Sequence, residues 1–476
     1  MIGKATNGYN IARANSSLQH EPNRVELQAG ENSTTFLPVV LNKSFSSSIP
    51  QNFGVEIDWN DLDLIKKADE ANAYWLRRAL FNWNQIEPTR TEPPTYHWDM
   101  VNESVIREAS ARGIQIIATV KYTPSWAQKY PGVSCGPVKQ DSLDEYAQFM
   151  QAVVTRYGVH PYNIKHWEMG NEPDVDRRVV PDNNFYGCWG DYDDDYHGGG
   201  YYAEMLKRVY PAVKSVDPEA QIHIGGLLLE CDPTDPYPPG LKCGEGNFLE
   251  GILRNGGGGY FDIVSFHGYG PYIGSLEWDE TWPTWAPRGG VVLGKADFLR
   301  EVMARKGVNN KPLFHSEAGL LCPSTDTVNC NPPGSDFYEA QADYVIRVNV
   351  RNIAAKIIGT SWYTLSGPGW SNSGLLDDNQ NPRPAYYSFQ FMAEELRNAN
   401  YIKNVGLYSS QYKFLKVYEF SKSEKRIWVI WASDEQPSTI TLPVETTKVF
   451  DKYGDDITPT NGQIAINSPV YVELTP

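Results

Sequence analysis

No stretch of these 476 residues reaches the ~20 consecutive apolar residues that a membrane-spanning helix needs. Positive charge is also in short supply. Lys and Arg total 42 against 58 Asp and Glu, a formal charge of −16. A surface that acidic repels phosphate backbones and anionic lipid, so neither nucleic-acid nor membrane partners are expected. No glycine-rich phosphate fingerprint follows the first predicted strand, which argues against a doubly wound, nucleotide-binding sheet. The glycines at 256–259 read as a flexible linker before a strand instead. The opening MIGKATNGYNIARANSS has no apolar signal-peptide core, so an expectation of export has to rest on other residues.

Cysteine is sparse, and its placement argues for export. All six, Cys135, Cys188, Cys231, Cys243, Cys322 and Cys330, fall in Pro/Gly-rich loops, which suits disulfides better than a metal site. Cys231 with Cys243 and Cys322 with Cys330 would each close a short loop, leaving Cys135 for Cys188. That is one of fifteen possible connectivities. Aromatics, by contrast, are plentiful. Phe, Trp and Tyr make up 13 % of the chain. Part of that excess is expected to line a cleft where flat rings meet the C–H faces of sugars, and part to fill the core.

Residues 1–52 are polar and read as an N-terminal arm with two short strands, at 24–27 and 35–40, that join a later β-sheet domain. After them a short apolar run, a turn-rich loop and a helical stretch recur in order. The predicted strands are 53–57, 75–81, 114–120, 164–169, 222–226, 263–266, 313–316 and 358–363. Eight such units within 53–400 predict an α/β fold of the (β/α)₈ TIM-barrel type with elaborated loops. Over 401–476 short alternating strands follow one another without helices, which predicts a C-terminal β-sandwich.

In such a barrel the reactive groups lie where strands run into their C-terminal loops. Two carboxylates occupy that position. Glu172 closes the fourth strand in HWEMGNEP, and Glu317 closes the seventh in LFHSEAG. Paired carboxylates across one pocket suit glycoside cleavage, one as acid/base and the other as nucleophile. Asn171, just before the first, suits a hydrogen bond to a sugar 2-hydroxyl. Trp126, in KYTPSWA, and Tyr272, Trp278, Trp282 and Trp285, in the loop after the sixth strand, are candidate sugar platforms. The run DYDDDYHGGG reads as a solvated acidic loop, with a calcium ion as the alternative.

With Asn-Glu-Pro at 171–173 closing strand four and a Glu closing strand seven, the sequence resembles clan A of the glycoside hydrolases. It is most similar to family 39 or a neighbour such as family 5. The resemblance spans about 53–392 and implies a retaining mechanism with no cofactor or metal. It also implies an Arg on the second strand, in LRRALFNWNQIEP, that steadies the nucleophile. Alternation puts Arg78, Leu80 and Asn82 on one face and Arg77, Ala79 and Phe81 on the other, and spacing back from Trp83 favours Arg78 as the inward one. His267 and Tyr269, in SFHGYG, are implied to touch the nucleophile and the bound sugar. Trp362, in GTSWYTLSG, resembles the ring that floors the cleavage subsite.

The expected function is therefore an exported, retaining hydrolase of β-glycosidic bonds in poly- or oligosaccharides. A transglycosylase using the same two Glu, and a non-catalytic carbohydrate-binding protein on the same scaffold, are the alternatives.

Overall fold

The computed structural model describes residues 52–57, 61–180, 186–240, 242–323, 330, 333–408, 412, 414–433 and 436–476. The two strands expected in the N-terminal arm lie outside the described residues. Eight parallel strands close into a barrel in sequence order. They are β1 (Asn52–Glu56), β2 (Trp75–Asn82), β3 (Gln115–Lys121), β4 (His166–Asn171), β5 (Gln221–Leu227), β6 (Ile263–Pro271), β7 (Leu313–Leu321) and β8 (Gly359–Trp362). β8 pairs with β1 to complete the ring.

The helices are α1 (Leu62–Glu70), α2 (Trp83–Ile86), α3 (Glu103–Ala111), α4 (Leu143–Tyr157), α5 (Gly199–Val216), α6 (Phe248–Arg254), α7 (Trp278–Thr281), α8 (Leu293–Arg305), α9 (Ser335–Ala354) and α10 (Pro384–Leu396). Their sequences explain where they start and which face they bury. Asp61 caps α1 by accepting the Asp63 N–H at 2.8 Å, satisfying a donor the helix cannot. In α4, Leu143, Tyr146, Ala147, Met150, Val153, Val154 and Tyr157 recur at helical spacing and all are buried. Acidic Asp144 and Glu145 lie in its first turn and Arg156 in its last, matching the helix dipole.

Inside the barrel the lower layer is aromatic and aliphatic. Trp75 meets His166 edge-on at 4.7 Å and Phe314 at 5.7 Å, while His223 closes on Phe314 at 5.9 Å. Ile117 and Ile263 complete this plug. Above it the interior becomes charged, and the site is built there.

Beyond the barrel, β9 (Asn400–Asn404), β10 (Leu415–Lys422), β11 (Lys425–Ala432), β12 (Ser438–Thr441), β13 (Thr446–Phe450), β14 (Gln463–Ile466) and β15 (Val470–Leu474) form the C-terminal β-sandwich. One sheet runs β13-β15-β11-β10-β9, and the second pairs β12 with β14. β11 is buried on both faces. Ile427, Val429 and Trp431 join the core shared with the barrel, whereas Trp428, Ile430 and Ala432 join the core between the two sheets. The disulfides are Cys135–Cys188, Cys231–Cys243 and Cys322–Cys330.

Candidate active site

Glu172 reaches the barrel mouth because the chain twists sharply as β4 ends. Gly170 (φ 88°) and Glu172 (φ 51°) both adopt left-handed backbone. At Gly170 no neighbour would obstruct a side chain, so the requirement for glycine there is conformational. The Glu172 N–H donates to the Gly226 carbonyl at 2.9 Å, which ties this turn to β5. Across the mouth, β6 and β7 run in register, with His267 beside Glu317 and Tyr269 beside Gly319.

These strands bring Glu172, His267 and Glu317 together. His267 Nδ1 lies 2.8 Å from Glu172 Oε1 and 3.4 Å from Glu317 Oε2. One donor atom from each of the three falls within 4.8 Å of the others. Glu317 receives two further hydrogen bonds, from the Tyr269 hydroxyl and from Arg77 Nη1 at 2.5 Å. Arg77 is 2 % exposed and spends its whole guanidinium on this layer. Its Nε donates to Glu168 at 2.7 Å, Nη1 also to Glu56 at 2.9 Å, and Nη2 to Asn171 Oδ1 at 2.7 Å. Thr119 donates to Glu168 from the neighbouring strand at 2.8 Å.

The charges decide which forms persist. Burial pushes the Glu317 carboxyl up, but His267, Arg77 and the Tyr269 hydroxyl outweigh it and hold the group below its ordinary value. Burial alone would strip the His267 proton, yet the Glu317 and Glu172 carboxylates raise its pKa instead. Glu56 goes the other way: burial and Glu317 raise it against the pull of Arg77 and Arg78. Lys121, at the end of β3, is pushed down to about 8 by burial and by Arg77, against Glu317, Glu56 and Glu172.

Two sequence assignments are corrected by one residue each. Arg77, and not Arg78, reaches Glu317. Arg78 pairs with Glu56 at 3.1 Å, its side chain 38 % exposed. The grouping of Arg78 with Leu80 and Asn82 as the inward face failed because the β2–β3 register shifts between Ala79 and Phe81, and a bulge inverts the parity of everything counted across it. Trp362 likewise offers no surface at the barrel mouth. It is wholly buried, packs on Tyr344 of α9 at 6.1 Å and donates its indole N–H to the Ser373 carbonyl at 2.9 Å. The next residue, Tyr363, projects to the opposite side, where its ring meets Tyr269 at 6.1 Å and it feels the charges of Glu56 and Glu317.

Glu56, Glu168, Lys121 and Tyr363 were absent from the sequence-derived set. For the first two a signal existed, since a carboxylate inside an apolar barrel strand needs a cation, and Arg77 is in reach of both. Trp126 lies outside the cluster, donating to the Glu87 carbonyl and resting on Trp83. Trp285 is buried with its N–H on the Leu229 carbonyl, and Tyr272 packs on Phe337. In the acidic loop, Asp191 and Asp193 pair with Arg178. Glu172, His267 and Glu317 are spaced as cation ligands could be, but Arg77 and Tyr269 already direct donors at both Glu317 oxygens.

No family model matches the sequence, and no curated protein does. Solved structures do. The chain is similar to a family 39 glycoside hydrolase from the gut symbiont Bacteroides cellulosilyticus at 18 % identity, over 90 % of this chain and 81 % of that one, with a TM-score of 0.64. It shares its fold with the clan A glycoside hydrolases. A family 39 β-xylosidase from Caulobacter crescentus aligns at 15 % identity and TM-score 0.56, covering 89 % of this chain and 96 % of that one. A family 30 endoxylanase from Clostridium papyrosolvens aligns at 12 % identity and TM-score 0.56, covering 90 % and 96 %.

Proposed function

We propose that this chain is a retaining hydrolase of β-glycosidic bonds, with Glu317 as nucleophile and Glu172 as acid/base. The observation that carries the reading is the short gap between the carboxylates, with an oxygen of each within 4.8 Å. Inverting enzymes hold the two groups ~6.5–9.5 Å apart to admit a water, whereas retaining enzymes hold them ~5 Å apart so that one attacks directly. The electrostatics supports the same division of labour. Arg77, His267 and Tyr269 keep Glu317 anionic, as a nucleophile must be.

In the first step Glu317 attacks the anomeric carbon while Glu172 gives its proton to the departing glycosidic oxygen. In the second, Glu172 takes a proton from water, which attacks the same carbon and releases Glu317. Its hydrogen bond to Arg77 orients the Asn171 amide beside the nucleophile, consistent with a contact to the sugar 2-hydroxyl. Tyr363, rather than Trp362, provides the ring beside the cleaved sugar. The β-xylosidase and endoxylanase among the similar structures favour a β-xylo-configured substrate, and a glucosidase from Croceicoccus marinus, similar at 12 % identity and TM-score 0.54, keeps a β-gluco-configured one beside it. Three disulfides favour an exported protein.

The test is sugar release from β-glycans and aryl β-glycosides by wild type, Glu172→Gln and Glu317→Gln. Both variants are expected to lose at least ~10³-fold in kcat/KM. Added azide should restore turnover of an activated aryl glycoside to an acid/base variant as a β-glycosyl azide. Retention of most activity by either variant would remove its residue from the mechanism.

A further inference from the structure

Trp370 stands in the loop after β8 and is 55 % exposed. Exposure alone carries little. Phe414, Leu407 and Val444 are more exposed still, and lie far along the chain in the β-sandwich region. Trp370 differs in where it stands and how it is held. Its ring meets Tyr269 edge-on at 5.2 Å, and the Tyr269 hydroxyl donates to Glu317. Gly319 of β7 permits this contact, since a Cβ there would lie 3.1 Å from the Tyr269 ring. Tyr363 approaches the same ring from another side, so Tyr269 is a wedge between two aromatics at the mouth of the barrel.

The loop is also pinned from beneath. Gly369 (φ 70°), Ser371 (φ 49°) and Asn372 (φ 62°) all take left-handed backbone, which costs the two non-glycine residues conformational energy. The Ser371 carbonyl accepts the Cys322 N–H at 2.9 Å. The Asn372 carbonyl accepts Gln341 Nε2 at 3.1 Å, and the Gly374 carbonyl accepts Arg383 Nη1 at 3.0 Å. Buried Trp362 holds the Ser373 carbonyl. The surrounding structure thus fixes a strained turn whose one large side chain faces water and touches the ring whose hydroxyl holds Glu317.

We propose that Trp370 is the platform of a second sugar subsite, stacking on the ring next to the one whose bond is cut and making the enzyme prefer chains over single glycosides. The proposal rests on the glycoside-hydrolase reading. An indole face offers a large, rigid apolar area to the axial C–H groups of a β-linked pyranose. Preordering of the loop means that little freedom is lost when the sugar arrives.

The test uses the full chain as wild type, Trp370→Ala and Trp370→Phe, with the same substitutions repeated in a Glu317→Gln background. Turnover of p-nitrophenyl β-xyloside and β-glucoside is compared with that of xylo- and cello-oligosaccharides of two to six units. Calorimetric titration of the hexaoses into the Glu317→Gln forms reads binding alone. The expected result is that Trp370→Ala lowers the ratio of oligosaccharide to aryl-glycoside kcat/KM by ~10-fold, and weakens hexaose binding by a similar factor. Trp370→Phe should recover most of both. Equal losses on both substrate types, or an unchanged ratio and unchanged affinity, would overturn the platform while leaving the hydrolase reading in place. Absence of turnover with Trp370-dependent hexaose binding would keep the platform and overturn the hydrolase. Failure of every hexaose to bind would overturn the platform.

Discussion

At the scale of single residues, the site is organised around one cation. Arg77 is the shared counter-charge of Glu56, Glu168 and Glu317, all of which it contacts within 2.9 Å. Burying that many charges is tolerable only while the geometry stays paired, and removing one partner of a buried pair costs about 3–5 kcal/mol. Arg77→Met should therefore lower unfolding stability by about that amount in denaturant titrations. It should also move the acidic limb of kcat/KM to higher pH. Glu317 is held below its ordinary value in part by Arg77, so without the guanidinium it stays protonated to a higher pH. Arg78, half in solvent and bonded only to Glu56 among these carboxylates, should shift the limb less when replaced by Met. Equal shifts in the two variants would mean that the Arg77 contact does not set the charge of Glu317.

At the scale of elements, the loop that carries Glu172 is held by the loop after β5. Asp174, two residues beyond Glu172, is fully buried and accepts the Leu228 and Leu229 N–H groups at 2.9 and 2.8 Å. Lys295 of α8 reaches the same segment, donating to the carbonyls of Leu228 at 2.6 Å and His267 at 3.0 Å. Burial pushes the Asp174 carboxyl up to about 7, against the pull of its two backbone donors. The sign of the consequence follows from proton counts. Between the ordinary value of 3.8 and about 7 the folded state keeps a proton that the unfolded chain has lost, so stability falls as pH rises through that window. Asp174→Asn should flatten this part of the stability–pH curve, measured as denaturant midpoints from pH 4 to 7.5. Parallel curves for the two proteins would remove Asp174 from the account.

Element positions were also what the sequence disclosed best. The barrel strands were legible because each lies in or beside an apolar run, and the ends of β4 and β7 are where Glu172 and Glu317 stand. Side-chain direction was less legible. A bulge in β2 is a backbone event with no residue signature in RRALF, and it turned the choice between Arg77 and Arg78. In β8 the wider ring, Trp362, drew attention, although alternation gives the mouth to Tyr363. β9 went unseen because Asn400–Asn404 is polar and mostly exposed, an edge strand without an apolar pattern.

At the scale of the whole molecule, the β-sandwich belongs to the same compact unit as the barrel. Phe391 of α10 meets Tyr471 at 5.0 Å and Phe450 at 5.5 Å, while β11 buries Ile427, Val429 and Trp431 toward the barrel. Full burial of each such side chain contributes about 1.5–3 kcal/mol, and removing the sheets would return that surface to water. The contact is also charged. Lys452, in the turn after β13, reaches Asp343 at 2.8 Å and Glu339 at 2.7 Å, both on α9, and its own side chain is 8 % exposed. Asp343 is nearly as buried, so Lys452→Met would leave a carboxylate in a poorly solvated seam, with an expected loss of about 3–5 kcal/mol. Because the seam joins two parts that share a core, that loss should move one cooperative transition to lower temperature in calorimetry, followed in parallel by near-ultraviolet circular dichroism. Two separate transitions, with only one displaced by Lys452→Met, would mean that the barrel stands without its β-sandwich and that the seam is an accessory contact.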